Sequence, residues 1–232
     1  MGEAQIYNYV LYCVAGTGAF VLPLLLVVPA PFGRFGARGW WGGTIPGKLG
    51  WALFETIPIW AMPLSMFLKS EFGTRKGNPA TTALLTMWEI HYIHRGVIYT
   101  YNAPRMAPQS VVVVLSAVAF NLANGYLNGR ALGALSMHDA TYITSPRFLI
   151  GAAIYFIGMY INISSDYATF NLRKKADKKK QKEGVKDINS LPPNEKYVIP
   201  RGGLFELVSC PAYFGEIVEW LGAEGSHGAQ MV

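Results

Sequence analysis

At 232 residues, 51% hydrophobic and 15% charged, with a mean hydropathy of +0.23, the chain has the composition of a membrane protein and not of a soluble domain. The net charge of +6 is no nucleic-acid footprint, because most of the surplus sits in one lysine run, RKKADKKKQK at 173–182. Two cysteines far apart, Cys13 and Cys210, exclude a disulfide framework and a cysteine zinc site.

In chain order, the first apolar run is Ile6–Ala30, long enough to cross a bilayer, which takes about 20 mostly apolar residues. It lacks a basic leading region and is too long for the core of a signal peptide, so it reads as a span. The second run, Leu49–Leu68, contains WALFETIPIW, which puts Glu55 mid-helix with Pro58 loosening the backbone beyond it. The third, Ala80–Tyr101, carries Glu89, His91, Tyr92, His94 and Arg95 within seven positions. Ionisable residues in a membrane are costly and face the bundle interior or a wet cavity. At helical spacing Tyr92, Arg95 and Tyr99 share a face, and His91 neighbours Arg95.

The fourth run, Ser110–Leu135, repeats asparagine at Asn121, Asn124 and Asn128. The fifth, Phe148–Ile163, ends in Asn162, Ser164, Ser165 and Asp166. A sixth stretch, Gly203–Gly222, is apolar but holds Glu206, Glu216 and Glu219. The expected fold is therefore all-α, a polytopic transmembrane bundle of five to six spans. Its polar side chains suit a membrane enzyme and a transporter equally, although inverted repeats are not evident.

Loop charges set an orientation. The first, third and fifth loops hold Arg34, Arg38, Lys48, Arg105, the 173–182 cluster, Lys186, Lys196 and Arg201; the second and fourth hold Lys69, Arg75, Lys76 and Arg147. The positive-inside rule makes the odd loops cytosolic and puts the N-terminus on the far side. Residues 173–196 read as a lysine-rich cytosolic loop ending in SLPPNEKY. His91 and His94 in HYIH suggest a shared metal, yet His138 and His227 fall in loop or tail and complete no ligand set, so no metal is expected. No Rossmann fingerprint, P-loop or nucleophile elbow is present.

Four stretches together resemble the steroid 5α-reductase (3-oxo-5α-steroid 4-dehydrogenase) family: WALFETIP, HYIHR followed by a tyrosine, INISSDY with NLRK, and YVIPRGGLFELVSCPAYFGEIVEWLG at 197–222. The resemblance runs from about Trp51 to Gly222. It implies an integral enzyme of the endoplasmic reticulum membrane that uses NADPH to reduce an activated carbon–carbon double bond. It also implies a bundle of seven helices, the N-terminus lumenal and the cofactor entering from the cytosol.

By the same resemblance Glu55 and Tyr92 contact the substrate's 3-keto oxygen. Asn102, Arg105, Asn162, Asp166, Arg173 and Tyr197 hold the cofactor, and Trp51, Arg95, Glu216 and Trp220 line the pocket. Gly202 and Gly203 are expected to form a tight turn near the cofactor. Three substrate classes compete within the family: 3-oxo-Δ4-steroids, polyprenols and 2-enoyl-CoA thioesters. Paired donors at Glu55 and Tyr92 favour an enone carbonyl and hence steroids. The alternative of a different class is a non-catalytic isoform or lipid carrier that kept the cavity. The bilayer and a hydrophobic steroid-like molecule are the expected partners, with no nucleic acid and no obligate protein partner.

The chain departs from the family pattern in three places. Val198 stands where an arginine is common and Ala212 where an asparagine is, which removes two nucleotide contacts. The third is AEGSHGAQMV at 223–232, which replaces a hydrophobic segment and basic tail. The expected organisation is a membrane domain over 1–222 with an atypical short tail at 223–232, a truncated version of the family's architecture.

Overall fold

A computed structural model describes residues 2–28, 42–68, 77–135, 138–188 and 191–227. The charges Arg34, Arg38, Lys69, Arg75 and Lys76, the end of the first apolar run, and the tail from residue 228 lie outside them. The described chain is helical apart from one pair of two-residue strands, β1 (Thr44–Ile45) and β2 (Gln109–Ser110), antiparallel with Thr44 opposite Ser110. Among the described residues three helices are long and apolar enough to cross a membrane: α1 (Glu3–Leu24), α6 (Val111–Arg130, continued by a π-turn through Leu135) and α7 (Pro146–Lys182). Two other apolar runs are built from consecutive helical pieces: α2 (Gly47–Glu55) followed by α3 (Ile57–Phe67), and α4 (Pro79–Tyr92) continued by a π-turn (Ile93–Ile98) and α5 (Tyr99–Asn102). The all-α membrane architecture is thus the one the composition demands. Large apolar side chains such as Phe20, Leu22, Leu115, Ile150 and Ile157 stand exposed, as they do when hydrocarbon is the solvent.

The sequence writes the helix starts. Asn78 accepts from the Ala80 N–H with Pro79 in the first turn, and Ser145 accepts from Phe148 N–H ahead of Pro146. Each side chain meets a donor that the first helical turn leaves orphaned, and proline there forfeits no bond.

Three expectations are corrected. Glu55 is not mid-helix but the last residue of α2, because Pro58 has no N–H to return to the Phe54 carbonyl and the helix breaks at Thr56. The lysine cluster at 173–182 is not loop: α7 runs through it, since Lys, Ala and Gln are good helix formers, and a turn at Glu183–Gly184 ends it ahead of α8 (Pro193–Lys196). The sixth run is not one span: a 3₁₀ turn at Gly203–Glu206 is followed by α9 (Pro211–His227), which continues into residues first read as tail.

The chain divides into two compact units, Met1–Tyr101 with Arg105–Ile143, and Asn102–Pro104 with Thr144–Gly228. In the first, α6 lies along α3 through Gly125, Gly129 and Gly133, four residues apart; a Cβ on Gly125 would come within 2.7 Å of Ala61 Cβ. Small residues let two backbones approach where lipid offers no hydrophobic drive. At the end of α6 the buried Arg130 donates to the Ser65 (3.0 Å) and Leu68 (3.1 Å) carbonyls and pairs with Glu3 of α1. It therefore caps α3 and ties down α1 together. Arg130→Met should lower stability by about 3 kcal/mol, read by thermal unfolding in detergent, because it strands a carboxylate and two carbonyls at once.

In the second unit α7 and α9 form a long pair. Gly151 and Gly158 of α7 interlock with Gly215 and Gly222 of α9, each seven residues apart, along the seam that also buries Tyr155 and Asn162.

Candidate active site

The first unit gathers Trp51, Glu55 and Arg95 at two local irregularities, with Tyr92 three residues before Arg95. The break after Glu55 leaves the Phe54 carbonyl without its helical donor, and Asn121 of α6 supplies one from Nδ2 at 2.8 Å. Opposite the break, α4 widens into the π-turn, a form concentrated at functional sites. Gly96 sits in that turn against the Glu55 backbone, where a Cβ would stand 2.9 Å from the Glu55 carbonyl oxygen. Glycine is what permits the approach.

Arg95 is the centre of the cluster and only 5% exposed. Its guanidinium lies 4.8 Å from both the Trp51 and Tyr99 ring centroids, and its Nε is 3.9 Å from Glu55 Oε1. The Arg95 carbonyl accepts the Trp51 indole N–H at 3.2 Å. Two aromatic faces thus enclose one cation in a desolvated place, with the Glu55 carboxyl group beside it. The π-turn alters the 3.6-residue phase assumed from sequence: Arg95 stays in contact with Tyr99, while Tyr92 packs on Trp88 and His91.

Tyr92 is buried, 4.6 Å from the Trp88 ring and 4.8 Å edge-on to His91. Trp88 is itself pinned by its indole donating to the Pro58 carbonyl at 3.1 Å. The Tyr92 hydroxyl accepts from Asn124 Nδ2 at 3.1 Å. Asn124 was visible in sequence only as part of the spacing Asn121, Asn124, Asn128, which marks one polar helix face without showing what it serves.

The second unit collects other candidates. Asn162, Asp166 and Arg173 recur at i, i+4 and i+11 on α7, which returns them to one face. Asn162 is buried and donates to the Ala212 carbonyl at the start of α9 (2.9 Å). Ala212, small and buried, fits this close contact. Glu216 and Trp220 follow one and two turns along α9, both half-buried. Tyr197 lies after α8 with Lys196 Nζ 5.8 Å from its ring, and Val198 beside it is exposed. Gly202 (φ 89°) and Gly203 (φ 56°) make the left-handed turn expected of them. Asn102 closes α5, whereas Arg105, half-buried, belongs to the first unit. Among the described residues no group of three or more His, Cys, Asp or Glu could hold a metal.

Residues 107–183 and 189–224 match the family model described as 3-oxo-5-alpha-steroid 4-dehydrogenase. The chain is 34% identical over 230 residues to steroid 5-alpha-reductase DET2 of Arabidopsis thaliana, covering 96% of this chain and 79% of that one. It is 35% identical to 3-oxo-5-alpha-steroid 4-dehydrogenase 1 of Rattus norvegicus (84% and 68% covered), and 36% to the DET2 protein of Gossypium hirsutum (91% and 76%). With those matches laid over a membrane helix bundle, the chain belongs to the steroid 5α-reductase family.

Proposed function

We propose that this protein reduces the Δ4 double bond of a 3-oxo-steroid at the expense of NADPH, as a multi-pass protein of the endoplasmic reticulum membrane with its N-terminus lumenal. The observation that supports the reading is the buried Arg95, held between Trp51 and Tyr99 beside Glu55, with the buried Tyr92 three residues before it. Reduction of an enone at its β-carbon leaves negative charge on the ketone oxygen. Donors held at that oxygen stabilise the transition state more than the ground state. Tyr92 supplies a phenolic O–H, Glu55 a carboxyl O–H, and Arg95 a fixed positive charge 3.9 Å from Glu55. The apolar walls exclude water and strengthen each of these interactions.

The residues of the second unit suit a dinucleotide. On one face of α7, Arg173 provides the cation a phosphate needs, Asp166 a carboxylate able to accept from ribose hydroxyls, and Asn162 a carboxamide held rigid by its bond to Ala212. Asn102, Arg105, Tyr197, Glu216 and Trp220 complete the proposed set, with Trp51 lining the steroid pocket. When bound, NADPH supplies the hydride.

The test is purified chain in nanodiscs given NADPH and a 3-oxo-Δ4-steroid, with cofactor binding measured in the same preparation. One 5α-reduced product per NADPH consumed is the expected result. Reduction of a polyprenol instead would move the substrate class within the family. Folded protein that binds no NADPH would overturn the reductase reading.

A further inference from the structure

The asparagine face of α6 fixes which way a hydrogen bond runs at Tyr92. Asn128 directs one side-chain atom at two acceptors of Asn124, the backbone carbonyl at 2.9 Å and the side-chain Oδ1 at 2.9 Å. A backbone carbonyl oxygen only accepts, so the Asn128 atom facing it is the NH₂, whose two hydrogens serve the two contacts. The Asn124 atom on the Asn128 side must then be the carbonyl oxygen. Its other end, 3.1 Å from the Tyr92 hydroxyl, is consequently the NH₂. Asparagine orientation is ordinarily ambiguous, and here the network removes the ambiguity. The Tyr92 oxygen accepts from Asn124, and its own single hydrogen points away from Asn124.

We propose that Asn124 and Asn128 are positioning residues: an Asn128→Asn124→Tyr92 relay of hydrogen bonds that keeps the Tyr92 proton turned away from α6 and fixes the phenol as it meets a ketone oxygen. As charge develops on the substrate oxygen, Tyr92 gives up part of its hydrogen, and electron density on its own oxygen rises. The Asn124 N–H then binds that oxygen more strongly in the transition state than before it. Bonds in such a chain reinforce one another, which is why the relay extends to Asn128.

This role rests on the reductase reading above, so the experiment has one arm that depends on turnover and one that does not. The first arm is a double-mutant cycle between Asn124→Leu and Tyr92→Phe with an enone steroid. Asn124→Leu should lower kcat by about 10-fold, the scale of one neutral hydrogen bond, while changing KM less than about twofold. In the Tyr92→Phe background the same change should cost less than about twofold, because the relay then has no hydroxyl to act on. An equal loss in both backgrounds would mean a packing role and overturn the proposal.

The second arm needs no substrate. The C–O stretch of Tyr92, isolated by infrared difference between ring-labelled wild type and Tyr92→Phe, should shift in Asn124→Leu toward a hydroxyl that accepts no hydrogen bond. An unmoved band overturns the relay even in a protein that turns over nothing. A wild type without steroid turnover but with the expected shift would sink the reductase reading and keep the relay. Should Asn124→Leu fail to fold, Asn128→Leu takes its place: it frees Asn124 to turn over, and the same band should shift by a smaller amount in the folded protein.

Discussion

Tyr92→Phe is expected to lower kcat for a 3-oxo-Δ4-steroid by about 100- to 1000-fold, the usual cost of removing one preorganised donor from a developing oxyanion. The substitution removes one oxygen and its hydrogen and leaves the ring where it is. Contacts with Trp88 at 4.6 Å and His91 at 4.8 Å hold that ring from two sides, so packing survives the change. The loss should therefore appear in kcat, with steroid affinity changed far less, because the missing bond matters most when charge has moved onto the ketone oxygen. Glu55→Gln should follow in the same direction with about a 10-fold loss, since an amide N–H remains a donor but a weaker one than a carboxyl. Steady-state kinetics by product chromatography, with steroid binding measured on the same samples, separates the two constants. A folded Tyr92→Phe protein that keeps wild-type kcat would remove Tyr92 from the chemistry.

The largest expected effect on stability comes from a single methyl group at Gly158. A Cβ there would overlap the Glu219 backbone nitrogen and stand 2.6 Å from both the Glu219 Cα and the Gly215 carbonyl oxygen. Every one of those atoms is backbone, so nothing can rotate aside, and α7 and α9 must separate along the whole seam. Gly158→Ala should cost about 3 kcal/mol or more, toward the upper end of what overpacking does, and lower Tm by roughly 10 °C. Gly16→Ala is the matched control: no atom lies within 4 Å of a Cβ at that position of α1, so its Tm should stay within about 1 °C of wild type. The same separation would disturb Asn162, whose amide reaches the Ala212 carbonyl across the seam, so weaker NADPH binding should accompany the lower Tm. Equal Tm values for the two variants would show that the pair is looser than its glycines imply.

These two experiments address different levels of one design. The α6–α3 and α7–α9 contacts use small residues to bring backbones together, since apolar side chains gain little by leaving one hydrocarbon environment for another. Polar groups then appear where backbone hydrogen bonding is interrupted. Asn121 serves the carbonyl that Pro58 abandons, Trp51 serves the Arg95 carbonyl in the π-turn, and Arg130 serves the end of α3. In a bilayer such carbonyls have no water to turn to, so each irregular joint recruits a side chain from elsewhere in the chain.

The sequence by itself determined the elements whose causes are local. Long apolar runs fixed α1, α6 and α7 as spans, and Asn78-Pro79 and Ser145-Pro146 fixed where two helices begin. Residue identities at WALFETIP, HYIHR, INISSDY and the 197–222 signature carried the family. Tertiary structure decided whatever depends on partners far along the chain. Pro58 announces a break, but that the break falls directly after Glu55 and is stabilised by Asn121, 67 residues on from Phe54, is settled by α6 lying against α2 and α3. The π-turn at Ile93–Ile98 has no periodicity signal, because its widening answers to Trp51 and the Glu55 backbone opposite and not to its own residues. Likewise residues 223–227 read as a polar tail, and they are helix because Gly222 and Ser226 close against α7. Local propensity is written residue by residue, whereas the direction of the hydrogen bond at Tyr92 exists only once α4 and α6 have met.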